Sequence, residues 1–73
     1  MDGHFIVYIR NKMSRLSVPA GFFTDKDELN IFMNMNRMKV SDGYEMYYNI
    51  TTPDEYEYFR RIVYGEHFIS PSV

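Results

Sequence analysis

Between His4 and Arg10 apolar residues fall on both parities of the chain, with Phe5, Val7 and Ile9 on one side and Ile6 and Tyr8 on the other. Successive side chains of a β-strand point to opposite faces, so a run that is apolar on both belongs at the centre of a sheet. Asn11-Lys12 then offers a tight turn into a second strand, Met13 to Val18, stopped by Pro19 and Gly21. In that strand Leu16 and Val18 alternate with Arg15 and Ser17, the pattern of a sheet edge. Farther on, Tyr44, Met46, Tyr48 and Ile50 alternate with Glu45, Tyr47 and Asn49 and predict a third strand after the turn Ser41-Asp42-Gly43. A hairpin in which Asp42-Gly43 pairs this strand with Lys39 and Val40 is a variant of the same pattern.

Two segments carry helix-start chemistry. Thr24-Asp25-Lys26-Asp27-Glu28 places Thr24 as N-cap and acids where the helix dipole is positive, predicting a helix to about Met38. Thr52-Pro53-Asp54-Glu55 is sharper: Thr at N-cap, Pro at N1 and Glu at N3 are the three residues of a capping box with an N-terminal proline. The helix that starts there ends at Gly65 and gains an outer-face pair from Glu57 and Arg61.

The order strand, strand, helix, strand, helix predicts an α+β fold. If the first two strands form a hairpin, the third lies antiparallel beside the first, giving sheet order 2-1-3. The expected architecture is a small two-layer sandwich, β-β-α-β-α, in which both helices cover one face of a three-stranded antiparallel sheet. Residues 1–69 form the single compact domain and 70–73 a flexible tail.

Projected at about 100° per residue, the first helix has two apolar stripes, one of Leu29, Phe32 and Met33 and another, nearly opposite, of Ile31, Met35 and Met38. One small sheet does not need so wide an arc. Either the second helix covers the excess, which is the commoner solution, or another chain does. Methionines serve equally as core filler and as an adaptable contact surface. The second helix is an ordinary amphipathic one, with Tyr56, Tyr58, Phe59, Ile62 and Val63 in its apolar arc and Tyr58 and Tyr64 at or beyond the edges. The sheet face away from the helices is expected to present Ile6, Tyr8, Arg10, Arg15, Glu45 and Tyr47.

Composition narrows the function classes. The chain has 73 residues, seven Tyr and six Phe, but no Cys and no Trp. Large rings dominate cores and interfaces, so this surplus favours contact over covalent chemistry. By periodicity Phe5, Phe32, Tyr44, Tyr48 and Phe59 belong to the core, and Phe22 and Phe23 cover the approach to the first helix. Tyr56 borders its own helix's apolar arc, which leaves Tyr8, Tyr47, Tyr58, Tyr64 and Phe68 unassigned. The formal charge of −2 is interspersed along the chain and makes no strong field for nucleic acid or anionic lipid. His4 and His67 have no Ser or carboxylate at a spacing that names a mechanism, and Asp25, Asp27, Asp54 and Glu55 are explained as helix-start acids. There is no Gly-rich phosphate loop, HExxH or EF-hand loop.

The expectation is therefore no catalysis, no cofactor and no metal. Asn49-Ile50-Thr51 fits the glycosylation pattern, but the start lacks a basic export region and Phe5 to Ile9 is too short for a signal core or a membrane span. A cytoplasmic, non-membrane protein is expected, a setting the cysteine-free composition fits. The function expected is a small protein-interaction module, an inhibitor or modulator of bacterial or phage kind, binding a partner protein stoichiometrically and as a candidate homodimer. Its anchors are Tyr8, Tyr47, Met35, Met38 and Tyr58. The alternative is a single-stranded nucleic-acid binder using Tyr8, Arg10, Arg15 and Tyr47, because aromatics beside arginines on a sheet stack unpaired bases.

Overall fold

A computed structural model describes residues 2–65. Its element order is β1 (Asp2–Asn11), β2 (Ser17–Asp25), α1 (Lys26–Asn36) with a 3-10 turn over Arg37–Lys39, β3 (Tyr44–Ile50) and α2 (Pro53–Tyr64). The strands form one antiparallel sheet in the order β2-β1-β3. The α+β class, the β-β-α-β-α order and the central place of β1 are those the sequence predicts. Residue 69, the tail 70–73, His67 and Phe68 lie outside the described residues.

The second strand differs from its expected limits. It starts at Ser17 and runs through Pro19 and Gly21 to Asp25. Proline lacks the N–H that a central strand must donate, but an edge strand can turn that position to solvent. The register also slips between Val7 and Tyr8, where Gly21 and Pro19 are the partners and Ala20 is the extra residue. Residues 12–16 make a longer loop in place of the two-residue turn. Asn11 Oδ1 accepts from the amides of Met13 and Ser14 at 2.9 and 3.1 Å, and Arg15 takes a positive φ of 67°. With β2 extended, the cap of α1 moves from Thr24 to Asp25, whose side chain accepts from the Asp27 amide. Phe22 and Phe23 are thus strand residues on opposite faces.

The two helices lie on opposite faces of the sheet, where the expected arrangement had both on one. On the first face α1 buries Leu29 against Phe5 and Val7, with Phe23, Phe32, Met33, Met46 and Tyr48 around them. Gly21 allows the close approach of this layer: a Cβ there would stand 2.9 Å from the Phe23 ring. Lys26, at the start of α1, holds its ammonium 5.4 Å from the Phe5 ring centroid and 5.2 Å from that of Tyr48. On the second face α2 packs on β1 and β2. Tyr56 meets His4 edge-on at 5.1 Å and Phe22 at 5.6 Å, and Tyr64 lies 5.6 Å from the same Phe22 ring. The physical reason is the double apolar pattern of β1: Ile6, paired with Phe22, is fully buried and needs a cover of its own.

The start of α2 follows the expected box. Thr52 Oγ1 accepts from the Glu55 amide at 3.1 Å and Glu55 reaches back to the Thr52 amide, a reciprocal cap worth about 1 kcal/mol. Gly65 closes the helix at a φ of 85°, its amide donating to Arg61. The closer of the outer-face pairs to Glu57 is Arg60 at 2.9 Å, and that hydrogen bond holds the carboxyl below the usual carboxylate range.

Candidate functional site

Three surfaces hold the residues expected to touch a partner. On the α2 face of the sheet, strand pairing sets Tyr8 opposite Tyr47 and Arg10 opposite Glu45. The two tyrosine rings stack at 5.4 Å with 22° between planes, the Arg10 guanidinium lies 5.0 Å over Tyr47, and Arg10 Nε donates to Glu45 Oε2 at 2.6 Å. The Tyr47 and Ser17 hydroxyls share a hydrogen bond at 2.9 Å. Burial, then the neighbouring Tyr47 and Glu55, push the Tyr8 phenol above its ordinary pKa of 10.0. This is an interlocked, half-buried set. A nucleic-acid base could stack here only by separating rings that already stack on each other, and Arg10 has its charge answered by Glu45. Arg15 stands apart, in the loop between β1 and β2.

The outward face of α1 is different in kind. With Leu29, Phe32 and Met33 turned to the sheet, the helical period sends Ile31 and Met35 the other way, and Met38, in the 3-10 turn that follows α1, continues their row; the three are 58%, 65% and 91% exposed. Because α2 lies on the opposite face of the sheet, it does not wedge α1 from behind. At one end of this row stand Asp27 and Glu28, in the first helical turn, and at the other Arg37 and Lys39. None of these four has an ion-pair partner among the described residues.

Tyr58 occupies a third place, on the outer side of α2. It is exposed and touches the Phe59 ring edge-on at 5.3 Å, with exposed Ile62 one turn on. The structure therefore brings Tyr8 and Tyr47 together and Met35 and Met38 together, and leaves Tyr58 separate. Two residues join the candidates: Ile31, which completes the α1 row, and Ile62. Both were visible in the helical projections as members of apolar arcs. Met13, Leu16 and Val18 are also exposed, along the β1–β2 loop and the start of β2.

Below the C-terminal end of α1 a groove of about 310 Å³ runs between helix and sheet, lined by Ile9, Phe32, Lys39, Val40, Tyr44 and Met46. Tyr44, expected in the core, is exposed at its rim because neither α1 nor α2 packs over that end of β3. His4 spends its ring on Tyr56. Among the described residues no three His, Asp or Glu side chains gather so as to hold a metal ion. No helix among them is long and apolar enough to cross a membrane.

No family model, curated protein or solved structure matches the chain. A row of large flexible apolar side chains held in water by a rigid helix costs solvation free energy that contact with another surface recovers, at roughly 25 cal/mol per Å² covered. The tyrosine patch offers less, since its rings stack on each other and Arg10 and the Tyr47 hydroxyl already have partners.

Proposed function

We propose that this chain is a small non-enzymatic binding module that inhibits or modulates a partner protein by stoichiometric contact, and that the outward face of α1 is the main contact surface. The observation that carries it is the exposure of Ile31, Met35 and Met38 as one row at helical spacing. An amphipathic helix presents such anchors at i, i+4 and i+7 to an apolar groove, a recurring mode of peptide and protein recognition. Methionines suit the task because they adapt to the opposing surface. The engagement of Arg10 by Glu45 and of Tyr8 by Tyr47 weighs against the nucleic-acid alternative. A cytoplasmic setting and a bacterial or phage source belong to the same proposal, and rest on small size and cysteine-free composition.

The test is affinity capture from the native host with the immobilised chain and with its Met35→Lys/Met38→Lys variant. Both positions are exposed, so the variant is expected to fold with an unchanged circular dichroism spectrum. One protein should be retained by the natural chain in near-equimolar amount and lost from the variant. Retention of the same protein by both would remove α1 from the contact.

A further inference from the structure

We infer that a second copy of this chain docks on the outward face of α1, antiparallel, to form a two-fold dimer. The inference rests on the proposed role of that face as a contact surface and names its occupant. The charge pattern around the row selects both the partner and the direction. Asp27 and Glu28 lie at the N-terminal end, Arg37 and Lys39 at the C-terminal end, and all four are without ion-pair partners among the described residues. A parallel copy would set acids against acids and bases against bases. An antiparallel copy sets each acidic end against a basic one.

The register follows from the sequence spacing. A two-fold axis perpendicular to the helix and passing between residues 33 and 34 is equidistant from Glu28 and Lys39. Followed along α1 and on through the 3-10 turn, these two lie on the same flank of the row, the one shared with Phe32, which beside Lys39 also borders the groove, while Asp27 and Arg37 lie on the other flank with Asn30. A two-fold axis of this orientation brings like flanks together, so Glu28 of each copy faces Lys39 of the other, with Ile31 and Met35 of both copies packed between. An isologous contact makes each pairing twice, which doubles the effect of any single change. The patch is small, so the dimer is of the weak class, on the order of micromolar or above in dissociation constant.

Sedimentation velocity over a range of concentrations tests this with Glu28→Lys and Lys39→Glu, two exposed substitutions whose folding is checked by circular dichroism. The natural chain should dimerise with rising concentration. Either variant alone places like charges together at two sites and should weaken the dimer about tenfold. An equimolar mixture of the two variants should regain the natural affinity within about threefold, because the Glu28→Lys ammonium then meets the Lys39→Glu carboxylate, and the unchanged Glu28 of one copy meets the unchanged Lys39 of the other. A natural chain that stays monomeric to about millimolar concentration would overturn the dimer. So would one that dimerises equally with either variant, or a mixture that gains nothing. A monomer that still loses its captured protein on Met35→Lys/Met38→Lys would refute the second copy as occupant while sustaining the protein-binding role.

Discussion

Replacing Ile6 by lysine is expected to leave the chain largely unfolded at room temperature. Ile6 is 0% exposed, opposite Phe22 on β2 and Asn49 on β3, on the face that α2 closes with Tyr56 and Tyr64. An ammonium there has neither water nor a carboxylate of its own, and burying such a charge unpaired costs several kcal/mol. A domain of this size has only about 5 kcal/mol to lose. Urea titration followed by circular dichroism measures the outcome, and Ile6→Ala, at about 2–5 kcal/mol, gives a graded value if the lysine variant cannot be isolated. Were both helices on the Phe5 face, position 6 would face water and the lysine would change stability by no more than about 0.5 kcal/mol. That small value would contradict the placement of α2.

The second large effect is expected at Leu29. Its side chain is fully buried where α1 meets Phe5 and Val7, within a ring of Phe23, Phe32, Met33, Met46 and Tyr48. Truncation to alanine removes its apolar burial and leaves a cavity that a small, aromatic-rich layer cannot collapse around completely. The expected loss is about 2–5 kcal/mol, or roughly 10 °C or more in melting temperature. Ile31→Ala, two residues on but on the outward face, should change stability by less than about 0.5 kcal/mol. The contrast separates the stripe that holds the fold together from the stripe available to a partner. Similar losses at the two positions would mean that both stripes are buried.

The local signals that decided the fold were those that specify backbone geometry or a hydrogen bond. The capping box at Thr52 to Glu55, the terminator Gly65 and the alternation of Tyr44 to Ile50 each name a structure through stereochemistry, and each stands where it was expected. β2 departs from its expected limits because Pro19 and Gly21 read as a stop in the sequence. At a sheet edge proline loses no ladder bond, and Gly21 serves the close packing of Phe23 and Phe32. The side taken by α2 was in the sequence too. Ile6 and Phe22 make the second face of β1 and β2 apolar, but a periodicity argument fixes which residues share a face and not which helix covers it.

The same limit applies to the surfaces. Exposure of Met35 and Met38 depended on where α2 went, so the helical projection left open whether their row was core or contact. The Tyr8 and Tyr47 pairing was legible from strand register, whereas the engagement of Arg10 by Glu45, which closes that patch, required the actual distances. Tyr58, at the edge of its helix's apolar arc, is exposed as that place implies, yet neither period nor composition says that it stands apart from the other four anchors.

The most direct test of α1 as the contact surface is oxidative footprinting of the methionines, because the chain carries its own control. Met13, Met35 and Met38 are exposed, at 93%, 65% and 91%, whereas Met33 and Met46 are half-buried. Dilute hydrogen peroxide should convert the first three to sulfoxide fastest in the isolated chain, read by mass spectrometry of peptides. In complex with the captured partner, at concentrations too low for self-association, Met35 and Met38 should be protected several-fold while Met13 oxidises as before. Unchanged oxidation of Met35 and Met38 in a saturated complex, with protection appearing at Met13 or nowhere, would contradict the account.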